Sequence, residues 1–223
     1  MRFFDELQAE TSDARERLLG NSLVRQALAG DMSSDGYVAF LCQAFHHVRH
    51  TTPLLMAAGA RMSVEKEWLR TAMAQYVEEE LGHQEWILND IAASGYDADV
   101  ARHSRPNPET ELMVAYAYYL IDRVNPVAFL GMVHVLEGTS TDIAIKAADC
   151  IAGSTDLPKA AFSYLRSHGA LDVSHVEFFE KLLAQIDEPG DQSEIIHASR
   201  MFYRLYGDVF SSVDPAQARP LRC

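Results

Sequence analysis

The sequence HGALDVSH, residues 168–175, lies in a stretch that otherwise has the pattern of one long amphipathic helix. At about 100° per residue, His168, Asp172 and His175 fall within about 60° of arc on one helix face. The same face continues in apolar residues on both sides of the trio, namely Ala161, Leu165, Phe179, Leu183 and Ile186. Burying a carboxylate and two imidazoles without partners costs on the order of several kcal/mol. Because a divalent cation satisfies all three groups, the pattern predicts a metal site on a buried helix face.

A second apolar stripe with polar members runs through residues 69–91. Its members are spaced three or four residues apart and are Leu69, Met73, Tyr76, Glu80, His83, Ile87 and Ile91. Of the consecutive acids Glu78, Glu79 and Glu80, only Glu80 falls on this stripe, with His83 about one turn later. We therefore expect Glu80 and His83 to face the core, and Glu78 and Glu79 to face solvent.

A third stripe, within residues 127–151, contains a single acid. Its members are Leu130, Val133, Glu137, Ala144, Ala148 and Ile151. No Lys or Arg lies one helical turn from Glu137 on either side. A carboxylate on an apolar stripe with no local cation needs a positive partner from another part of the chain.

The three stripes together supply three carboxylates and three imidazoles as candidate metal ligands. They are Glu80, His83, Glu137, His168, Asp172 and His175. One zinc ion takes three or four ligands, and calcium or magnesium prefers an all-oxygen shell, whereas a mixed set of six suits two iron or manganese ions. A ferritin-type bundle needs a further carboxylate on another helix. Residues 37–61 contain no Asp or Glu, which argues against a ferritin fold.

The order and separation of these six residues resemble the heme-oxygenase-like diiron oxidases, which share their fold with the TenA and pyrroloquinoline-quinone (PQQ) synthase proteins. The Glu80-x-x-His83 spacing is similar to that of the variant that includes the 1-undecene-forming fatty-acid decarboxylase. In the para-aminobenzoate-forming variant the first Glu would instead fall at Tyr76, so Glu80 departs from that pattern. The resemblance implies an all-α, heme-oxygenase-like (TenA/PQQ-synthase-like) bundle of about seven to eight helices.

The resemblance also implies a non-heme, iron-dependent oxidoreductase that uses O2 as co-substrate. Two Fe(II) ions per chain are expected, one of them weakly held, so that iron occupancy as isolated falls below two; manganese is the alternative metal. The implied substrate is a small carboxylate-bearing metabolite, either a fatty acid or an amino acid. The implied outcomes are oxidative decarboxylation, C–C cleavage or N-oxygenation, and an external electron donor is left open.

Several alternatives keep the fold but change the chemistry. A metal-independent TenA-like thiamin-salvage hydrolase would by analogy use a cysteine nucleophile, but Cys150 lies about 140° from the Glu137 face. A PQQ-synthase-like oxidase is a further alternative. A heme oxygenase proper is disfavoured because the first helix carries no histidine. A transcription regulator would need a basic DNA-facing element, which the sequence lacks.

A wider set of polar residues could contact the metal ligands or the substrate. They are His46, His47, His50, Tyr76, His134 and Tyr164. His134 precedes Glu137 by about one turn and could orient it. Each of these residues could equally be a packing residue or a hydrogen-bonded core residue.

Composition is consistent with one enzyme domain. The 223 residues are 48% hydrophobic and carry a formal charge of −13 with a pI near 5.0, which leaves no basic face for nucleic acid or an anionic membrane. We expect a single helical metal-binding domain at residues 1–213, a C-terminal tail at 214–223, a cytoplasmic location and a homodimer. The cysteines Cys42, Cys150 and Cys223 are interpreted as reduced thiols.

Helical periodicity, together with residues that are typical of helix ends, predicts eight helices and no sheet. Their expected ranges are 2–20, 22–29, 34–62, 64–94, 108–124, 126–153, 157–186 and 191–213. Pro53 is expected to kink the third of these.

Overall fold

A computed structural model describes residues 2–222, apart from the side chains of residues 140, 142 and 168–175. The α-helices are α1 (Phe3–Leu19), α2 (Ser22–Ala29), α3 (Ser34–Val48), α4 (Thr51–Arg61), α5 (Glu67–Glu80), α6 (His83–Ala93), α7 (Ala98–His103), α8 (Pro108–Tyr119), α9 (Leu130–Ser154), α10 (Ser163–Leu183) and α11 (Pro189–Ser211). Shorter helical turns cover Val64–Lys66, Leu120–Val124, Pro126–Phe129, Lys159–Phe162 and Pro215–Leu221. Within residues 2–222 the only β pairing is an isolated bridge between Tyr96 and Arg222, so the all-α prediction is confirmed.

The three apolar stripes face the core as predicted. Their described apolar members are all buried, and Glu78 and Glu79 are exposed, as expected. The buried side chains form two hydrophobic clusters. Helix α9 packs against α10, α11 and α2, so it runs through the middle of the bundle.

The predicted helix 34–62 is wrong in detail, because it is two helices instead of one kinked helix. Helix α3 ends at Val48 and α4 begins at Thr51, with Arg49 and His50 between them. Pro53 lacks an N–H, and its ring would clash with the carbonyl of Arg49 in a continuous helix. The backbone N–H of Leu54 still donates to the His50 carbonyl (2.9 Å), so the second helix restarts immediately after the break.

The predicted helix 64–94 is also divided. Helix α5 ends at Glu80 and α6 begins at His83, with Leu81 and Gly82 between them. Gly82 has φ = 88°, a left-handed conformation in which a side chain would be strained. The stripe of buried residues nevertheless continues across the break, because the two helices bury the same side.

Other boundaries differ where the helical pitch changes. The predicted helix 108–124 ends in a π-helical turn, and those at 126–153 and 157–186 begin with 3₁₀ turns.

Helix α7 was not predicted. Its N-terminus is capped by Asp97, whose carboxylate accepts hydrogen bonds from the backbone N–H groups of Asp99 and Val100.

Helices α9 and α11 cross in close contact at Gly131. A Cβ at this position would lie 2.7 Å from the Ala198 Cβ and 2.9 Å from the Ile195 carbonyl oxygen. Only glycine therefore allows this approach, which fixes α9 against α11 near the start of α9.

The C-terminal residues pack against the bundle. The 3₁₀-helix Pro215–Leu221 contacts α3 and buries Ala218 and Leu221. The backbone N–H of Asp97 donates to the Leu221 carbonyl at 2.6 Å. Across residues 2–222 no helix has the length and apolar character required to span a membrane.

Candidate active site

Glu80 and His83 form a contact pair at the break between α5 and α6. The Glu80 Oε2 and His83 Nδ1 atoms are 2.9 Å apart, and the two side chains are 10% and 4% exposed. The His83 ring stacks on Trp86 with ring centroids 4.0 Å apart. The carboxylate and the indole therefore fix the orientation of the imidazole.

Glu80 and Glu137 line one cavity, which we call the polar cavity. It has a volume of about 90 Å³ and lies where the two hydrophobic clusters meet. Its lining comes from six helices and the turn before α9: His47, Val48, Thr51, Leu55, Tyr76, Glu80, Phe129, Met132, Val133, Leu136, Glu137, Tyr164 and Tyr206. Two acids from separate stripes thus meet at an otherwise mostly apolar surface.

The polar cavity is acidic. No Lys or Arg is among the described residues that line it. The Oε2 atom of Glu137 is buried from solvent. Two carboxylates held in such surroundings favour a cation, because burial penalises their charge and each raises the negative potential at the other.

Three of the six predicted ligands cannot be placed. The side chains of His168, Asp172 and His175, all within the range of α10, lie outside the described residues. Among the side chains that the structure describes, no group of three or more His, Cys, Asp and Glu residues is arranged to hold a metal. Of the six predicted ligands, the structure therefore describes the side chains of Glu80, His83 and Glu137.

The donor types of these three residues suit a divalent transition metal. The 2.9 Å separation of Glu80 Oε2 and His83 Nδ1 is a hydrogen-bond distance. A mixed imidazole and carboxylate donor set suits iron or manganese better than calcium or magnesium.

A second cavity, which we call the apolar cavity, adjoins the polar one. Its volume is about 80 Å³, and it shares Tyr164 and Tyr206 with the polar cavity. The rest of its lining is Leu23, Val24, Ala27, Met32, Phe40, Thr139, Ile143, Ala144, Ala147, Ile151, Leu165 and Phe210. Except for Thr139 and the two tyrosines these side chains are apolar, so the cavity suits a hydrocarbon group.

The wider set of predicted polar residues divides into two groups. His47, Tyr76 and Tyr164 line the polar cavity. His46 and His50 instead face α7 and α8: His46 Nε2 is 2.9 Å from the Ser104 hydroxyl, and His50 Nδ1 is 3.2 Å from the Tyr118 hydroxyl.

His134 faces α1, α10 and α11 and does not line the polar cavity. Its Nε2 is 3.4 Å from the Thr11 hydroxyl, and its ring stacks on Phe179 with centroids 6.0 Å apart. Burial lowers the pKa of His134 from its ordinary 6.5 to about 4, with a smaller contribution from Arg15. The imidazole is therefore neutral at physiological pH.

Sequence reasoning missed Thr51 and Tyr206, which also line the polar cavity. Tyr206 is edge-on to His47, with ring centroids 5.6 Å apart. Burial raises the pKa of Tyr206, so its hydroxyl remains a neutral hydrogen-bond donor. In a sequence, a buried tyrosine on an apolar stripe looks like any other packing residue. Nothing in the sequence therefore indicated that Tyr206 lines the polar cavity.

The described cysteines lie away from both cavities. Cys42 is buried in α3, and burial raises the pKa of its thiol to about 12. Cys150 is half-buried. Neither lines the polar or the apolar cavity.

The sequence profile of a family described as iron-containing redox enzymes matches residues 38–207 of the chain. The chain belongs to this family. The match spans α3 to α11 and includes every residue of the polar cavity. No curated protein sequence matches the chain.

Solved structures show the same fold. A domain of unknown function with a heme oxygenase-like fold from Shewanella denitrificans OS217 has a TM-score of 0.87 at 20% identity, over 94% of this chain and 91% of that one. A TenA homologue from Pseudomonas syringae pv. tomato DC3000 has a TM-score of 0.76 at 15% identity, over 96% and 93%. Heme oxygenase-2 from Synechocystis sp. PCC 6803, in complex with heme and NO, has a TM-score of 0.74 at 11% identity, over 96% and 85%. This member of the iron-containing redox enzyme family therefore has the heme oxygenase-like fold.

Proposed function

We propose that the chain is a non-heme diiron oxidase or oxygenase that uses O2 to oxidise a small carboxylate-bearing metabolite. The observation that carries the proposal is the meeting of Glu80 and Glu137 at one largely apolar cavity, with His83 in contact with Glu80. Membership of a family of iron-containing redox enzymes supports it.

Six residues would hold the metal: Glu80, His83, Glu137, His168, Asp172 and His175. When bound, an iron pair supplies the redox chemistry that activates O2 for oxidation of a C–H, C–C or N–H bond. Three carboxylates against four positive charges leave the reduced site with about one net positive charge. That charge favours an anionic substrate, such as a carboxylate.

The protein's own residues would bind and orient that substrate. His47, Thr51 and the Tyr206 hydroxyl supply polar groups beside the two acids in the polar cavity. We assign to them the binding of the substrate carboxylate. The apolar walls of the cavity exclude water, which strengthens each of these polar interactions.

The adjoining apolar cavity favours an aliphatic carboxylate over a polar amino acid. A hydrocarbon group placed there loses contact with water at a gain of about 25 cal/mol per Å² of buried surface. An amino-acid ammonium group would compete with the metal for the same acids. Fatty acids are therefore the preferred substrate class within this proposal.

One observation argues for this reading over a TenA-like hydrolase. Neither Cys42 nor Cys150 lines the polar cavity, whereas a TenA-like hydrolase would by analogy need a cysteine there. A PQQ-synthase-like oxidase would oxidise its substrate with O2 and no metal, so metal dependence separates it from this proposal.

The test is O2 consumption by protein loaded anaerobically with Fe(II), screened against a series of straight-chain fatty acids and against amino acids. The proposal predicts iron-dependent consumption with a fatty acid. Consumption that is unchanged after removal of iron by a chelator would contradict it.

A further inference from the structure

Asp90 is a buried carboxylate that links α6 to α10. Its side chain is completely buried. The Oδ1 atom accepts hydrogen bonds from the backbone N–H of Ser163 at 3.0 Å and from the Ser163 hydroxyl at 2.5 Å. The Oδ2 atom accepts from the backbone N–H of Tyr164 at 2.8 Å. Both oxygens are therefore used, and all three donors lie in the first turn of α10.

This carboxylate caps a helix to which it does not belong. The first backbone N–H groups of any α-helix have no partner within the helix. In α10 the residue before the helix, Phe162, provides no side-chain cap. Asp90 supplies the acceptor from α6, and its negative charge lies at the positive end of the α10 dipole. Burial raises the pKa of Asp90, while the three hydrogen bonds oppose that rise.

The hydrogen bonds of Asp90 connect α6 and α10, two helices that carry predicted metal ligands. His83, at the start of α6, precedes Asp90 by seven residues, which is about 10 Å along a helix. Asp172 follows Tyr164 by eight residues, about 12 Å along α10. Tyr164, which donates to Asp90, also lines both cavities. A shift of α10 at Asp90 would therefore change both the ligand positions and the cavity wall.

We propose that Asp90 is a positioning residue. It sets the axial position and rotation of α10 relative to α6, and so aligns the predicted metal ligands of the two helices. This inference rests on the proposed function. Two successive N–H groups bound by the two oxygens of one carboxylate fix both the axial position and the rotation of a helix end. A single hydrogen bond would leave the rotation free.

Asp90→Asn tests the role with little change of shape. The amide keeps one oxygen acceptor but presents an NH2 group to a backbone N–H, so one of the two bonds to α10 is lost. We expect the affinity for Fe(II), measured anaerobically on folded protein, to fall at least about tenfold, as for residues that orient metal ligands. Amide exchange in the first turn of α10 should accelerate in the metal-free protein as well.

The controls separate alignment from general stability. Leu18→Ala removes a buried side chain from α1, a helix that carries none of the predicted ligands, and should lower the melting temperature with Fe(II) affinity unchanged. Ser163→Ala removes the hydroxyl donor but keeps both backbone bonds, so it should reduce the affinity less than Asp90→Asn. An Asp90→Asn protein that melts earlier but binds Fe(II) within twofold of wild type would overturn the positioning role alone. Wild-type protein that binds no Fe(II) would overturn the proposed function itself.

Discussion

The polar and apolar cavities adjoin each other, share Tyr164 and Tyr206, and are lined by the same central helix, yet they differ in chemistry. Toward its N-terminal half α9 contributes Val133 and Glu137 to the polar cavity. Further along it contributes residues such as Ile143 and Ala147 to the apolar cavity. One helix thus carries an acid where metal chemistry is proposed and small apolar side chains where a substrate would need space.

The difference shows how one bundle can separate reactivity from substrate selection. Acids and imidazoles in the polar cavity are costly to bury, so they persist only with a function or a partner. The apolar cavity is lined partly by small side chains, including Ala27, Ala144 and Ala147. Changes in the polar cavity should therefore abolish turnover, whereas changes in the apolar cavity should alter which substrate is preferred.

The largest effect is expected for Glu137→Gln, which keeps the shape of the side chain but removes its charge. O2-dependent turnover should fall at least about a thousandfold, because a lost metal ligand costs several kcal/mol of transition-state stabilisation. Glu79→Gln, at an exposed position one residue from Glu80, is the matched control and should keep wild-type turnover. Circular dichroism checks that both variants stay helical. Equal turnover of the two variants would show that Glu137 is not part of the active site.

A smaller effect concerns His134, which lies one turn from Glu137 on α9 but packs against the core. Its pKa is lowered by burial from 6.5 to about 4, so the unfolded chain binds a proton more readily than the folded one. The free energy of unfolding of the metal-free protein should therefore fall as the pH drops from about 6.5 to about 4, by up to about 3 kcal/mol. Urea unfolding at pH 7.0, 5.5 and 4.5 measures this loss.

His134→Phe should reduce that pH dependence, because the titrating group is gone while an aromatic ring still faces Phe179. His103→Phe, at an exposed histidine, serves as the control and should retain the full dependence. An unchanged pH dependence in His134→Phe would show that this imidazole is not buried in its neutral form.

Gly131→Ala tests the crossing that holds α9 in place for both cavities. The added Cβ would lie 2.7 Å from both the Ala198 Cβ and the Ser199 backbone nitrogen, so α9 and α11 must separate. We expect a loss of about 2 kcal/mol in the free energy of unfolding, measured by urea. Gly153→Ala, on the same helix with no atom within 4 Å of the added Cβ, should be neutral or slightly stabilising. Equal stability of the two variants would contradict the close crossing.

The smallest effect is expected for Ala147→Phe, which fills part of the apolar cavity. The ratio of kcat/KM for long over short fatty acids should fall about tenfold, because a hydrocarbon chain loses space in the pocket. Ile145→Phe places a phenylalanine at an exposed position of the same helix and should leave the ratio unchanged. A uniform loss of kcat/KM for all chain lengths would indicate that the apolar cavity does not select the substrate.

The all-α fold and the buried faces could be predicted from the sequence, because helical periodicity directly records which side faces the core. Glu80, His83 and Glu137 stood out since polar groups interrupted apolar stripes. The helix breaks were harder to predict. The stripe passes from Glu80 to His83 at helical spacing, and only Gly82 between them indicated that the chain could turn there.

The contacts between helices could not be predicted, because they depend on packing that a single sequence does not record. Asp90 lies seven residues after His83 and so falls on the same helix face, yet nothing in the sequence indicated that it caps α10. Thr51 and Tyr206 reach the polar cavity only through the positions of α4 and α11. The roles of His168, Asp172 and His175 remain predictions, since their side chains lie outside the described residues.

The central claim is that Glu80, His83, Glu137 and the three α10 residues hold redox-active iron. Anaerobic titration of the metal-free chain with Fe(II), followed by exposure to O2 and optical spectroscopy, tests it most directly. The account predicts an O2-dependent absorption band that grows with added Fe(II) up to two ions per chain, with fewer than two ions present as isolated. No iron-dependent band at any ratio of Fe(II) to protein would contradict it.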